Sequence, residues 1–353
     1  MVDQPASDGL TWQPITQADL DDLGVLLTAI EHLDEPSERH NMDALSDAFV
    51  GPDADPGEDS LLGRDGGGMA VAYAWNHPAT TDLDPRRVYL TGGVHPGWRR
   101  QGIGRQLLGW QLDRAREWYD ETYAELVGPL QLTAYVDEKL EEQQRLYRAA
   151  GLAPVRWFAD MGLTFEREED GSPRLPPAGE VPAGIRLVPY SKKLSEAVRL
   201  AHNDAFSEHW GSKPVARGPW EDQLSRSVAR SSWSWVALDA ATSEVAGYAM
   251  NSAYEQDWEA QGFSEGWTER LGVRRAYRGR GIARALLAAS MASFAEAGLD
   301  GSGIGVDSDT PTGSINLYPE LGYAATSTIV MYARLEQRDP DSAGESGESE
   351  DRR

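Results

Sequence analysis

Cysteine is absent from the 353 residues. That excludes disulfides, thiolate metal sites and a cysteine nucleophile together, and a reducing compartment suits such a chain. Positive charge is scarce: 33 Lys and Arg stand against 57 Asp and Glu, a formal net charge of −24. A nucleic-acid surface needs a dense positive field to displace counterions, so nucleic acid is not an expected partner. Apolar runs are short, and no stretch of about 18 residues could cross a bilayer, so no membrane partner is expected. Met1 to Leu10 carries Asp3 and Asp8 and has neither a basic start nor an apolar core, unlike a secretory leader. A cytoplasmic location and no metal site are the expectations.

What the chain does contain is itself, twice. Val94-His95-Pro96-Gly97-Trp98-Arg99-Arg100-Gln101-Gly102-Ile103-Gly104-Arg105 returns as Val273-Arg274-Arg275-Ala276-Tyr277-Arg278-Gly279-Arg280-Gly281-Ile282-Ala283-Arg284. Leu146-Tyr147-Arg148-Ala149-Ala150-Gly151-Leu152 returns as Leu317-Tyr318-Pro319-Glu320-Leu321-Gly322-Tyr323, and Pro14 with Thr16 as Pro189 with Ser191. Echoes in one order, each about 175 residues on, mark one domain built twice. The first copy is placed at residues 1–165 and the second at 185–335. The Pro- and charge-rich 166–184 reads as a linker, and the Asp, Glu, Ser and Gly of 336–353 as a disordered acidic tail.

Both copies read alike. A strand ending at Pro14 or Pro189 precedes a helix that Thr16 or Ser191 can cap. In the second copy, strands are expected at Ser234–Leu238, Val245–Asn251 and Thr268–Val273. A helix from Gly281 to about Ala297 then lays Ile282, Leu286, Leu287 and Met291 on a sheet. Strand Gly303–Val306, a helix around Tyr318 and strand Ile329–Tyr332 complete the copy. The fold class is α/β in the α+β sense: two tandem domains, each a mixed, mostly antiparallel twisted sheet flanked by helices.

The Gly/Arg loop sits between a strand and a helix, where unbonded helical N–H groups and the positive end of the helix dipole face outward. Gly279 and Gly281 allow close backbone approach. Arg270, Arg274, Arg275, Arg278, Arg280 and Arg284 crowd one short segment of an acidic chain, which suggests a polyphosphate ligand. No Gly-Lys-Ser/Thr follows, so the loop is not a P-loop, and Gly102-Ile103-Gly104 lacks the third glycine of a dinucleotide fingerprint. Trp98 and Tyr277 read as packing residues beside it.

The pattern Arg/Gln-x-x-Gly-x-Gly/Ala after a strand resembles the coenzyme A pyrophosphate loop of the GNAT superfamily of N-acetyltransferases. It is matched by Arg99-Arg100-Gln101-Gly102-Ile103-Gly104 and by Arg278-Gly279-Arg280-Gly281-Ile282-Ala283. Leu317 to Tyr323 is similar to that family's last helix, whose Tyr commonly faces the thioester sulfur. The tandem arrangement resembles the mycothiol synthase type. The resemblance implies acetyl-CoA as cofactor, held by both loops together with Val94, Leu271 and Val273, and a small-molecule amine as acceptor in a ternary complex. It also implies a catalytic second domain beside a cofactor-binding or degenerate first one.

A primary amine, with a pKa near 10.4, must lose a proton before it attacks a thioester. Glu269, in the strand ahead of the loop, is the candidate base, and the position 179 residues earlier is Leu90. A backbone N–H near Val273, on a strand that splays or bulges there, is the candidate oxyanion donor. Tyr318 is the candidate general acid, and Tyr147 its structural echo. His209, Trp210 and Trp267 are candidate acceptor residues. Acetylation of a cysteinyl amine, as in mycothiol synthesis, and a non-catalytic coenzyme A scaffold are the competing readings. Monomer and homodimer both stay open.

Overall fold

A computed structural model of the chain describes residues 3–6, 9–47, 49, 56–79, 85–123, 128–177, 180–208, 213–307 and 317–338. The elements run β1 (Thr11–Gln13), α1 (Leu20–Asp34), α2 (Met42–Asp47), β2 (Ser60–Arg64), β3 (Ala70–Pro78), β4 (Arg86–Val94), α3 (Ile103–Thr122), β5 (Gly128–Asp137), α4 (Glu141–Ala149) and β6 (Ala153–Thr164). A short hairpin follows, β7 (Glu166–Arg167) and β8 (Pro173–Arg174). Then come β9 (Ile185–Pro189), α5 (Ser195–Ala205), α6 (Arg217–Ser225), β10 (Trp235–Asp239), β11 (Val245–Ser252), α7 (Glu255–Gln261), β12 (Glu265–Val273), α8 (Ile282–Glu296), β13 (Gly301–Asp307), α9 (Leu317–Glu320) and β14 (Ala324–Arg338).

Two units emerge, one of residues 1–156 with 329–353, the other of 157–328. The first unit is thus discontinuous and takes the chain's last strand, whereas the second is continuous and takes in most of the strand that ends the first repeat. In the first unit the strand order is β1-β2-β3-β4-β5, completed by Ile329–Arg338 of β14 along β5. In the second, Phe158–Thr164 of β6 lies antiparallel to β13, and the order continues β12-β11-β10-β9. The sequence echoes placed the first boundary at 165 and the second domain's end at 335. Echoes locate a repeated motif but carry no information about which copy a flanking strand pairs with. The 166–184 segment holds the β7–β8 hairpin, pinned by Arg174 to Glu166 and Glu168. The 336–353 stretch begins as strand: β14 continues to Arg338, where Arg116 grips Glu336 through two hydrogen bonds of 2.7 and 2.9 Å. Residues 339–353 lie outside the described ones.

Each sheet buries both faces under helices, which is why its strands carry apolar runs. In the second unit α8 covers one face with Ile282, Ala285, Leu286, Leu287, Met291 and Phe294, all buried. Gly266 of β12 has no side chain because the Phe294 ring occupies that space; a Cβ would come within 2.2 Å of it. On the opposite face, Val198 and Ala201 of α5 and Trp220 of α6 pack on Tyr248 and Met250 of β11. In the first unit Leu23, Leu26, Leu27 and Ile30 of α1 and Ile103 and Leu107 of α3 take the corresponding places. Thr16 donates to Asp19 through its N–H and hydroxyl at 2.9 and 2.6 Å, whereas Ser191 makes no side-chain cap bond. Among the described residues no helix is long and apolar enough to cross a membrane, and no group of three or more His, Asp and Glu could hold a metal ion.

Candidate active site

Parallel pairing sets the geometry in each unit. β12 runs beside β13 only from Glu265–Gly301 to Thr268–Ile304, after which β13 follows β6 and β12 follows β11. The Arg274 amide donates to Ala246 O on the β11 side at 2.9 Å. Amides alternate edges along a strand, so the N–H groups of Val273 and Leu271 point toward the opened slot. The first unit repeats this: β4 and β5 pair from Arg86–Leu130 to Tyr89–Thr133, and the His95 amide binds Val71 O, which turns the Val94 N–H toward the gap.

The helix beyond each slot starts without a side-chain cap. Gly281 precedes α8 at φ +82° and Gly102 precedes α3 at φ +86°, both left-handed. A Cβ built on Gly279 meets nothing within 4 Å, and one on Gly281 only Pro182 Cγ at 3.9 Å, so these glycines front open space. Gly279 also has positive φ, +74°, where the first unit places Arg100 at φ +65°. A side chain there carries strain of about 1–2 kcal/mol.

The arginines divide their labour in a way that charge counting missed. Arg278 turns inward, donating Nη2 to Ala205 O at 2.7 Å and Nε to Val273 O at 3.4 Å, and so fastens the loop to the end of α5. Arg99 does the same with Val94 O at 3.0 Å and a two-pronged pair to Asp34 at 2.7 and 2.8 Å. Arg274 is paired with Asp204, Arg275 with Glu208 and Arg284 with Glu320. Arg100 meets Glu142. Arg280 stays beside the glycines, its guanidinium over the Tyr277 ring and donating to Ala183 O at 3.1 Å. The loop's anion-binding capacity thus lies in its bare amides and dipole more than in a cloud of guanidinium groups.

Glu269 occupies a β-bulge. Met250 pairs with Arg270 and Asn251 with Thr268, so Glu269 is the extra residue that β11 does not match. It projects exposed, accepting a 2.7 Å hydrogen bond from the Tyr254 hydroxyl. The bulge lies four residues before Val273, where the sequence reading had looked for it. The register also corrects the comparison with Leu90. β3 and β4 pair without a bulge, Leu90 against Asn76. Asn76 and Asn251 are matching buried amides, donating to Gln111 O and to Ser290 Oγ. Leu90 therefore answers to Thr268, and Glu269 has no counterpart in the first unit.

Trp267, on the same face as Glu269, lies across β13, which is glycine at 303 and 305. A Cβ on Gly303 would come within 2.3 Å of that ring, and Tyr254 meets it edge-on at 6.2 Å. Tyr318 is buried, 7% exposed, in the core cluster against which Leu271 packs, and its ring is perpendicular to that of Tyr323 at 6.3 Å. Leu271 also touches the cluster of Ile282 and Leu286, linking Tyr318's surroundings to the loop helix. Tyr147 is likewise enclosed, 5.7 Å from Tyr332, and burial pushes its hydroxyl up to about 12. His209 and Trp210 lie outside the described residues.

Two groups escaped the sequence reading. Glu265, at the start of β12, is pushed up to about 7 by burial, with Asp160 and Asp257 nearby adding repulsion. His202 of α5 bonds Tyr248 Oη at 2.6 Å and is pushed down to about 4 by burial, with Arg270 adding to it. Neither sits in a motif; both effects arise from tertiary enclosure.

A sequence model described as the acetyltransferase (GNAT) family matches the chain twice, over residues 27–151 and 195–323. A mycothiol acetyltransferase of Thermobispora bispora is 29% identical over 285 residues, covering 78% of this chain and 83% of that protein. Among solved structures, a GCN5-related N-acetyltransferase from Sphaerobacter thermophilus superposes with a TM-score of 0.72 at 22% identity, over 94% of this chain and 97% of that one. A tandem GNAT protein from the clavulanic acid biosynthesis pathway gives 0.66 at 19% identity, over 94% and 100%. With both repeats matched, more than half of its length in all, the chain belongs to the acetyltransferase (GNAT) family as a tandem, two-domain acyltransferase.

Proposed function

We propose that the chain transfers an acetyl group from acetyl-CoA to a primary amine of a small molecule, directly and within one ternary complex, and that its second unit does the chemistry. The observation that supports this reading most is the bulge at Glu269 in β12, four residues before Val273, which the first unit lacks. The fit to the thioester rests on the uncapped, glycine-fronted start of α8 and on the slot into which the Leu271 and Val273 amides point. Gly279, Arg280, Gly281, Ile282 and Ala283 would hold the pyrophosphate. Bound there, acetyl-CoA supplies an activated acyl group whose C–S bond breaks as the acceptor's N–C bond forms, releasing the thiol.

The chain's own groups do the rest. Glu269 takes the ammonium proton of the acceptor, with the Tyr254 hydrogen bond fixing its carboxylate. The amides of Leu271 and Val273 donate to negative charge that develops on the acyl oxygen. Tyr318 holds a proton for the departing sulfur. Gly102, Gln101, Ile103 and Gly104 give the first unit a similar cradle, so it retains cofactor without turning it over. A cysteinyl amine is the acceptor suggested by the mycothiol acetyltransferase relatives, and it belongs in the test panel.

Thiol release from acetyl-CoA across a panel of amines tests the reading. Amine-dependent release that Glu269→Gln slows about 100-fold or more is the expected result. Tight coenzyme A binding with no amine ever accelerating release would leave a scaffold instead.

A further inference from the structure

Next to Glu269 the second unit holds a cavity lined by α6, β11, β12 and the segment leading to β10, and its charges are unusual for this chain. Arg270 and Arg226 both face it. Neither has a carboxylate within ion-pair distance among the described residues, although the protein carries 57 acidic side chains. Arg270 packs over the Trp220 ring at 5.6 Å, and its Nη1 is buried with no hydrogen-bond partner. One further buried polar atom of the same wall, Gln223 Oε1, also lacks a partner. Unsatisfied groups clustered in one pocket indicate a missing polar occupant, because each costs about 1–3 kcal/mol if left so.

We infer that this pocket takes the carboxylate of the acceptor, so that the substrate is an amine that also carries an acid group, an amino acid or a relative of one. The inference rests on the acetyl-transfer reading and deepens it. Two guanidinium groups and one carboxylate within a single cavity form the complement of a zwitterion: the acceptor's ammonium meets Glu269 while its carboxylate meets Arg270 and Arg226. A planar carboxylate matches a guanidinium fork through two parallel bonds. A half-buried Arg270 beside an exposed Arg226 suits an anion that enters from solvent. An acceptor whose acid is replaced by an amide offers one neutral acceptor oxygen in place of two charged ones, and so loses the two-pronged, charge-assisted pairing.

The test uses the full chain, saturating acetyl-CoA and matched pairs: α- and ω-amino acids with their carboxamides, plus aminoalkyl phosphates. Acids should exceed their amides in kcat/KM by about 10-fold or more, as expected for one charge-assisted bond. Arg226→Gln, at an exposed position that cannot damage the core, should collapse the acid-to-amide preference toward unity through KM. Arg270→Lys, which keeps the charge but loses the fork, should reduce it partly. Saturation-transfer NMR of the amino acids without acetyl-CoA gives an independent readout: the acids should bind and their amides should not. Amides equal to acids, aminoalkyl phosphates preferred over both, or an unchanged preference in Arg226→Gln would each overturn the carboxylate assignment while acetyl transfer stood. No release with any amine, despite acids binding in the NMR experiment, would instead sink the transfer reading and leave the pocket assignment intact.

Discussion

Replacing Gly281 separates backbone strain from charge at the start of α8. The residue sits at φ +82° with only Pro182 Cγ at 3.9 Å from a built Cβ. A side chain therefore has room and meets only the left-handed penalty, about 1–2 kcal/mol for an L-residue. Ala and Glu share that cost, and Asn, which tolerates the conformation, bears less of it. Glu alone adds a negative charge where a pyrophosphate is expected. Two unit charges about 5 Å apart repel by roughly 1 kcal/mol in water and about 3 kcal/mol at an effective dielectric of 20. Gly281→Glu should thus bind coenzyme A about 10- to 100-fold more weakly than Gly281→Ala. Their urea midpoints should nearly coincide. Calorimetric titration with coenzyme A, alongside urea melts, measures both. Equal affinities for Ala and Glu, each matching the parent, would remove the loop from the account.

Glu269→Gln and Tyr318→Phe should each lower kcat about 100-fold or more with coenzyme A affinity kept, and Tyr147→Phe much less; steady-state kinetics paired with titration decides, and equal losses at Tyr147 and Tyr318 would contradict the division between units. Glu265, whose folded pKa of about 7 exceeds the usual carboxylate value, binds a proton that the unfolded chain has released. Stability should therefore fall as pH rises from about 4.5 to 7, and Glu265→Gln should remove that slope, gaining up to about 3 kcal/mol at pH 8. His202 acts with the opposite sign. Its folded pKa near 4 lies below the unfolded value near 6.5, so its contribution is complete above pH 6.5 and is lost as pH falls toward 4, which His202→Phe should flatten in urea melts followed across that range. Gly272→Ala would place a Cβ 2.5 Å from the Tyr248 ring and should cost about 1–3 kcal/mol in the same melts.

Much of the architecture is legible in the chain because it is written twice. The Gly/Arg echo gave the slot-to-helix junction in both copies, and the period of Ile282, Leu286, Leu287 and Met291 gave the helix that covers the sheet. The exchange of β6 and β14 was not legible, since any apolar strand satisfies either neighbour and the pairing is decided only by the assembled fold. The loop arginines illustrate a second limit. Composition counts guanidinium groups but does not reveal that Asp204, Glu208 and Glu320 already hold three of them, or that Arg278 is turned to backbone carbonyls. The bulge at Glu269 depends on register, which a single sequence shows only through its consequence, a carboxylate where the other copy has nothing. Glu265 and His202 become unusual only once desolvated, and no local motif announces desolvation.

The most direct measurement is a crystal structure of the chain with acetyl-CoA. Density for the pyrophosphate over Gly279 to Ala283, with the acetyl carbon in the slot beside Leu271 and Val273 and within reach of Glu269 and Tyr318, is the expected result. Acetyl-CoA bound only at the Gly102 loop, or with its acyl end turned away from β12, would contradict the assignment of chemistry to the second unit.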